Sequence, residues 1–194
     1  MYYNAIPSEE NPWLISSTYL IDTLIANRNI PDQFQHNVSS ELAYYFIGEV
    51  NINEIQLDAN DWLGAFNEDI CVGARIWDRS LCLNEVCDIP IYGADGSEST
   101  FGYMSAGIVP TFKIYDSSED EYYAINDYST DIPAWINLET LYIEYLNTID
   151  DCYGDLGGFI FDDDDDSICN DIDVCPNDFE NDIDGDGVCG DVDE

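Results

Sequence analysis

The chain has 194 residues, 45% of them apolar, and sets 42 acidic side chains against four basic ones (Arg28, Arg75, Arg79 and Lys113), for a formal charge of −38. A surface of that sign repels nucleic acid and anionic membrane, which excludes both as partners. No apolar run approaches the roughly 20 residues that a membrane span requires, while 14 Tyr, 8 Phe and 4 Trp supply bulk for a packed core.

In chain order, residues 1–39 form a first segment. Met1-Tyr-Tyr-Asn-Ala-Ile6 has neither a basic start nor an apolar stretch, so it is no signal peptide, and the chain is expected to be the mature portion of a longer precursor. Leu14, Ile15, Tyr19, Leu20, Leu24 and Ile25 have partial helical spacing. The same stretch also echoes a later one. Tyr2-Tyr3, Ala5-Ile6, Pro12-Trp13, Ile21-Asp22 and Leu24 recur in order as Tyr122-Tyr123, Ala124-Ile125, Pro133 with Trp135, Ile143-Glu144 and Leu146, with a shift of about two residues between blocks. The segment is therefore either a helix, the tail of a preceding tandem module, or a strand able to complete a neighbour's sheet.

Residues 40–149 read as a β-domain. The alternation around Tyr45, Ile47 and Val50 marks a strand with a register break near Gly48. Trp62–Phe66, the turn Asn67–Asp69 and Ile70–Trp77 make one hairpin; Thr111–Tyr115, the turn Asp116–Asp120 and Glu121–Ile125 make a second. Residues 80–105 are expected to be an excursion from the sheets. Short strands separated by Gly, Asp, Asn and Ser turns predict an antiparallel sandwich.

Seven cysteines lie at 71, 82, 87, 152, 169, 175 and 189. None form the CxxC pairs usual in zinc sites, so disulfides in an oxidising, extracellular setting fit better. Cys82 and Cys87 are able to close a short loop, and Cys169, Cys175 and Cys189 to staple the tail; the odd number leaves one thiol over.

Residues 150–194 hold 18 acidic side chains and no basic one. Here one acidic loop is written twice, twenty residues apart: Asp162, Asp164, Asp166, Ser167, Ile168, Cys169, Asp171 and Asp173 align with Asp182, Asp184, Asp186, Gly187, Val188, Cys189, Asp191 and Asp193. Carboxylates at positions 1, 3, 5 and 12, with a small residue at 6 and a carbonyl at 7, are the ligand grammar of a calcium loop. One site takes Asp162, Asp164, Asp166, the Ile168 carbonyl and Asp173. The other takes Asp182, Asp184, Asp186, the Val188 carbonyl and Asp193. Asp171 and Asp191 join through water or bridge to an adjacent ion, and Asn177 and Asn181 are positioned to add amide oxygens to the second loop.

The run Cys175-Pro-Asn-Asp-Phe-Glu-Asn-Asp-Ile-Asp-Gly-Asp-Gly-Val-Cys189-Gly-Asp-Val-Asp193 resembles a thrombospondin type 3 repeat. That resemblance implies calcium wrapped by backbone with little regular secondary structure, and disulfides between neighbouring loops. The first copy departs from the pattern at Ser167, where Gly is usual. Asp61-Trp-Leu-Gly-Ala-Phe66, Cys71-Val-Gly73 and Phe112-Lys-Ile-Tyr-Asp116 resemble β-sandwich modules of secreted and surface proteins of environmental bacteria. Pilus subunits of immunoglobulin-like fold, completed by a neighbour's N-terminal strand, are an architectural analogy.

The expected fold is thus mainly β, an antiparallel immunoglobulin-like sandwich with an irregular calcium-binding tail. Catalysis is not expected: His36 stands alone in a polar stretch without a nearby cysteine and reads as a surface histidine, and neither Gly-x-Ser-x-Gly nor HExxH occurs. Two readings remain. One is a structural, calcium-stabilised subunit of an extracellular or cell-surface assembly, joined as a homo-oligomer or filament by strand addition. The other is a carbohydrate-binding or adhesion module, with Trp62, Trp77 and Trp135 as candidate stacking faces for a glycan.

Overall fold

The computed structural model describes residues 30–82, 86–129, 131–183, 185 and 187–190. Nine strands occur among them: β1 Leu42–Ile52, β2 Ile55–Gln56, β3 Trp62–Asn67, β4 Ile70–Ile76, β5 Cys87–Tyr92, β6 Thr111–Asp116, β7 Glu121–Ala124, β8 Asp127–Tyr128 and β9 Thr140–Thr148. They build two sheets. In the first, β9 is flanked by β1 and β8, and β1 is bordered on its far side by β5 and then β2; the second runs β4-β3-β6-β7.

Both expected hairpins are present. β3 and β4 pair antiparallel through a turn at Glu68 and Asp69, and β6 and β7 pair antiparallel through a turn ending at Asp120. Glu68 and Asp120 both have positive φ, 55° and 60°, the left-handed geometry that closes these short connections. One pairing departs from the antiparallel expectation. β1 and β9, the first and last strands, run parallel from Tyr44 opposite Thr140 to Ile52 opposite Thr148. Only a long connection can join parallel neighbours, and here the chain passes through the whole second sheet before returning.

Residues 80–105 are more than an excursion, because they contain β5. It pairs with β1 from Leu42 opposite Tyr92 to Ile47 opposite Cys87, and it buries Cys87, Ile89 and Ile91. The Cys82–Cys87 disulfide and an Arg75–Asp88 ion pair of 2.6 Å fasten its start beside β4.

The sheets enclose one core. Ala43, Tyr45, Ile47, Ile89, Ile91, Ile143 and Leu146 of the first face Leu63, Ala65, Val72, Phe112 and Ile114 of the second. Burial along β1 alternates at 43, 45 and 47, then resumes at 50; along β9 it falls at 143 and then at 146. Ile47 lies opposite Ile143 and Val50 opposite Leu146, so the two strands change face together. Gly48 sits at that crossing, where a Cβ would come 2.5 Å from the Glu144 carbonyl oxygen. The register break read near Gly48 is this bend.

The outer face of the second sheet is covered by the chain entering β1. Phe34, fully buried in a short 3-10 turn at Asp32–Phe34, lies over Gly64 and meets Phe66 and Tyr122 edge-on at 5.7 and 5.4 Å. The helix, tandem-tail and strand alternatives for the first segment fall on residues 1–29, outside the described residues. No helix among the described residues is long and apolar enough to cross a membrane.

Candidate metal centre

The acidic tail is docked to the sandwich before its first loop begins. The Asn126 amide takes a hydrogen bond from the Ile149 N–H (2.8 Å) and donates to the carbonyls of Ile149 (2.9 Å) and Gly158 (2.6 Å). Gly157, at φ 76°, passes so close to β7 that a Cβ would stand 2.9 Å from the Ala124 carbonyl oxygen. Asp151, nearly buried, accepts from the N–H groups of Tyr153 and Asp155 at 3.0 Å each. The Cys152–Cys169 disulfide then carries this anchorage into the first loop, and Cys175–Cys189 ties the end of that loop to the second. Three disulfides are therefore formed, and Cys71 is the thiol left over.

Five consecutive aspartates build the first loop, and they alternate: Asp162, Asp164 and Asp166 are half-buried, whereas Asp163 and Asp165 are exposed. One carboxylate oxygen from each of the three inward residues lies within 4.8 Å of the others, close enough to hold a metal ion. The backbone is folded around those carboxylates. Asp166 N–H donates to Asp162 Oδ1 (3.2 Å) and Asp164 Oδ1 (3.3 Å), Ser167 N–H to Asp162 Oδ2 (2.8 Å), and Ile168 N–H to Asp166 Oδ1 (2.7 Å). Positive φ at Asp165 (62°) and Ser167 (75°) makes the sharp turn.

The electrostatics of this pocket lack a positive partner. Asp164 Oδ2 and Asp173 Oδ2 are buried with no hydrogen-bond donor. Burial pushes the Asp164 carboxyl above its ordinary range, and the charges of Asp166 and Asp173 push the same way, against N–H groups of Asp166 and Asp178 that pull it down. No Lys or Arg lies beyond Lys113 in the sequence. Like charges so placed, with orphaned oxygens between them, fit a hard cation that accepts oxygen ligands.

The repeat seen in the sequence is also a repeat of backbone. Ser167 N–H to Asp162 Oδ2 (2.8 Å) is matched twenty residues on by Gly187 N–H to Asp182 Oδ2 (2.9 Å). Asn170 N–H closes the first loop on the Phe161 carbonyl (2.9 Å), as Gly190 N–H closes the second on the Asn181 carbonyl (2.7 Å). Positive φ at Asp165 and Ser167 recurs at Gly185 (76°) and Gly187 (88°). The second loop thus uses glycine where the first tolerates strain at an aspartate and a serine.

Of the residues assigned to the first site, the structure gathers Asp162, Asp164 and Asp166, with Asp173 beside them. Asp171 is exposed and accepts from the Tyr153 hydroxyl at 3.0 Å, and Ile168 is directed by its N–H to Asp166. In the second, Asp182 accepts from Gly185 N–H (2.9 Å) and from Gly187 N–H, and the Val188 side chain is exposed. Asp184, Asp186, Asp191 and Asp193 lie outside the described residues. Asn181 links the two loops. Its side-chain amide donates to Asp166 of the first loop, while its backbone carbonyl closes the second. Spacing alone pointed forward along the chain; the turn held by Asn181 N–H on the Asp178 carbonyl (2.8 Å) folds the side chain back.

Two further expectations are altered elsewhere. His36 does have a cysteine near it in space, with Cys71 Sγ 4.0 Å from its Nδ1. That nitrogen is 2.8 Å from the Phe34 carbonyl oxygen, the thiol is directed to the carbonyls of Phe34 and Gly73, and burial pushes the thiol up to about 11. These are the marks of a packed thiol rather than of an activated one. Trp62, Trp77 and Trp135 are all buried, so none offers a stacking face.

No protein-family model, curated protein or solved structure matches this chain.

Proposed function

We propose that this protein is a structural subunit of an extracellular or cell-surface assembly, a pilus-like fibril or surface layer, whose tail is made rigid by calcium and whose N-terminal segment joins neighbours by strand addition. In this reading the sandwich is immunoglobulin-like and the tail is a pair of loops of the thrombospondin type 3 kind. The observation that carries it is the doubled loop: two copies with matched backbone-to-carboxylate hydrogen bonds, the first holding buried oxygens without a donor. Asp162, Asp164, Asp166 and Asp173 would hold the first ion, and Asp182 would open the set for the second. Calcium would supply the positive charge that lets these carboxylates stay together; it takes six to eight oxygens, so where each aspartate gives one oxygen, carbonyls and water complete the shell. Three disulfides support an oxidising compartment.

Extracellular modules of this kind bind calcium with dissociation constants on the order of 10⁻⁴–10⁻³ M, so millimolar calcium suffices. Electron microscopy of the purified chain with and without calcium tests the proposal. Ordered polymers with calcium support it; monomers under both conditions would sink the assembly role. Deleting residues 1–25 is expected to abolish self-association.

The adhesion reading now rests on other rings. Tyr44 and Tyr142 are exposed on the first sheet, Tyr142 beside Glu144 and the notch at Gly48. A glycan array with no binder would remove it.

A further inference from the structure

Phe101 is the most exposed large apolar side chain among the described residues, at 86%, yet the loop that carries it is pinned on both sides. Before it, the fully buried Thr100 donates its hydroxyl to Asp95 Oδ1 (2.7 Å), which also accepts from the Ser97 N–H (3.0 Å). After it, Gly102, at φ 81°, lies so close to β4 that a Cβ would stand 2.4 Å from Ile70 Cδ1, and its carbonyl accepts from the Asn67 amide (2.9 Å). Tyr103 is buried, and its hydroxyl accepts from the Asn37 N–H at 2.6 Å. A lone ring in water is ordinary; this one forms a wall of a cleft. The cleft, of about 490 Å³, lies where residues 33–37, 69–71 and 99–103 meet, and its size is that of a small-ligand site. The side chains of Gln33 and Asp69 have no hydrogen-bond partner among the described residues. The amides of Gln35 and Asn37 donate to the carbonyls of Ile30 (2.8 Å) and Ser99 (3.0 Å), which leaves their oxygens open to a donor. No Lys or Arg lines the cleft.

We propose that this cleft binds a neutral glycan, with one sugar ring stacked on Phe101 and its hydroxyls hydrogen-bonded to Asp69, Gln33, Gln35 and Asn37. A sugar ring offers C–H groups on its face and, at its edge, hydroxyls that both donate and accept. One exposed aromatic ring beside carboxylate and amide oxygens matches that division. Charge narrows the class. A glycan bearing carboxylate or sulfate would meet Asp69 with no cation in the cleft to offset it, on a chain of formal charge −38. The proposal rests on the adhesion reading, moves it from the tyrosines of the first sheet to this cleft, and is independent of the assembly role.

The test applies the full chain to an array of immobilised neutral and acidic glycans and carries the strongest neutral binder into isothermal titration. Phe101→Ala and Asp69→Ala are each expected to weaken that binding by about tenfold or more, and Tyr142→Ala reports on the other surface. All three side chains are exposed, so each variant is expected to melt with the parent. Neutral glycans bound by the parent and by Tyr142→Ala, but weakly by both cleft variants, support the proposal. Binding unchanged in either cleft variant, an equal loss in Tyr142→Ala, or binding confined to acidic glycans overturns it. Loss in Tyr142→Ala alone overturns the cleft and leaves adhesion standing on the first sheet. An array with no binder ends both.

Discussion

The sandwich and the acidic tail solve the same problem with opposite materials. Residues 42–148 bury Tyr45, Ile47, Leu63, Trp77, Ile114 and Leu146 between two sheets, and the hydrophobic effect sets their stability. Residues 161–190 leave Ile172, Val174, Phe179, Ile183 and Val188 exposed and are held by two disulfides and by backbone N–H groups turned onto carboxylates. The difference teaches where each half is vulnerable. The sandwich fails when its core is cut. The tail, with carboxylates gathered and no Lys or Arg among them, is proposed to fail when a bound cation is taken away.

Perturbations that separate the two halves make that contrast sharper. The largest effect is expected from Leu146→Ala, a fully buried truncation costing about 2–5 kcal/mol in urea unfolding and leaving calcium affinity of the tail unchanged. Asp164→Ala should act the other way round. It is expected to weaken calcium binding at the first site by at least about tenfold, since a ligand is lost, while the sandwich melts at the parent temperature; isothermal titration and calorimetry read the two effects. Gly48→Ala should cost roughly 1–3 kcal/mol, because the new methyl meets the Glu144 carbonyl where β1 and β9 change face. Asn126→Ala addresses the junction. Its three hydrogen bonds hold Ile149 and Gly158, and their loss is expected to cost about 1–2 kcal/mol and to raise hydrogen exchange at residues 149–158. The smallest signal is Cys71. With its thiol raised to about 11 by burial, it should resist a thiol reagent at pH 8 in the native chain and react once per chain when unfolded. Because that value is raised, the protonated thiol favours the folded state. Its contribution is complete below the ordinary thiol value and is lost as pH rises through about 11.

Much of this was legible in the sequence where the signal is local. Both hairpins follow from alternation broken by Asn, Asp and Ser turns, and the loop grammar follows from aspartates two apart. The rest depends on partners distant in the chain. β5 contains Asp88 and Pro90, which read as loop; on an edge strand that pairs with β1 alone, a proline is tolerated. The parallel β1–β9 pair joins residues almost a hundred positions apart and leaves no local mark. The change of face in β9 beside Gly48 likewise belongs to two strands at once. In the site itself, the convergence of Asp162, Asp164 and Asp166 was readable, whereas the backward reach of Asn181 required the turn at Asp178.

The central claim is that metal orders the tail and is irrelevant to the sandwich. Hydrogen–deuterium exchange of the full chain in millimolar calcium and in chelator tests it most directly. Exchange is expected to slow with calcium across residues 161–190 and to remain the same across 42–148. Equal exchange of the tail in both buffers would contradict it.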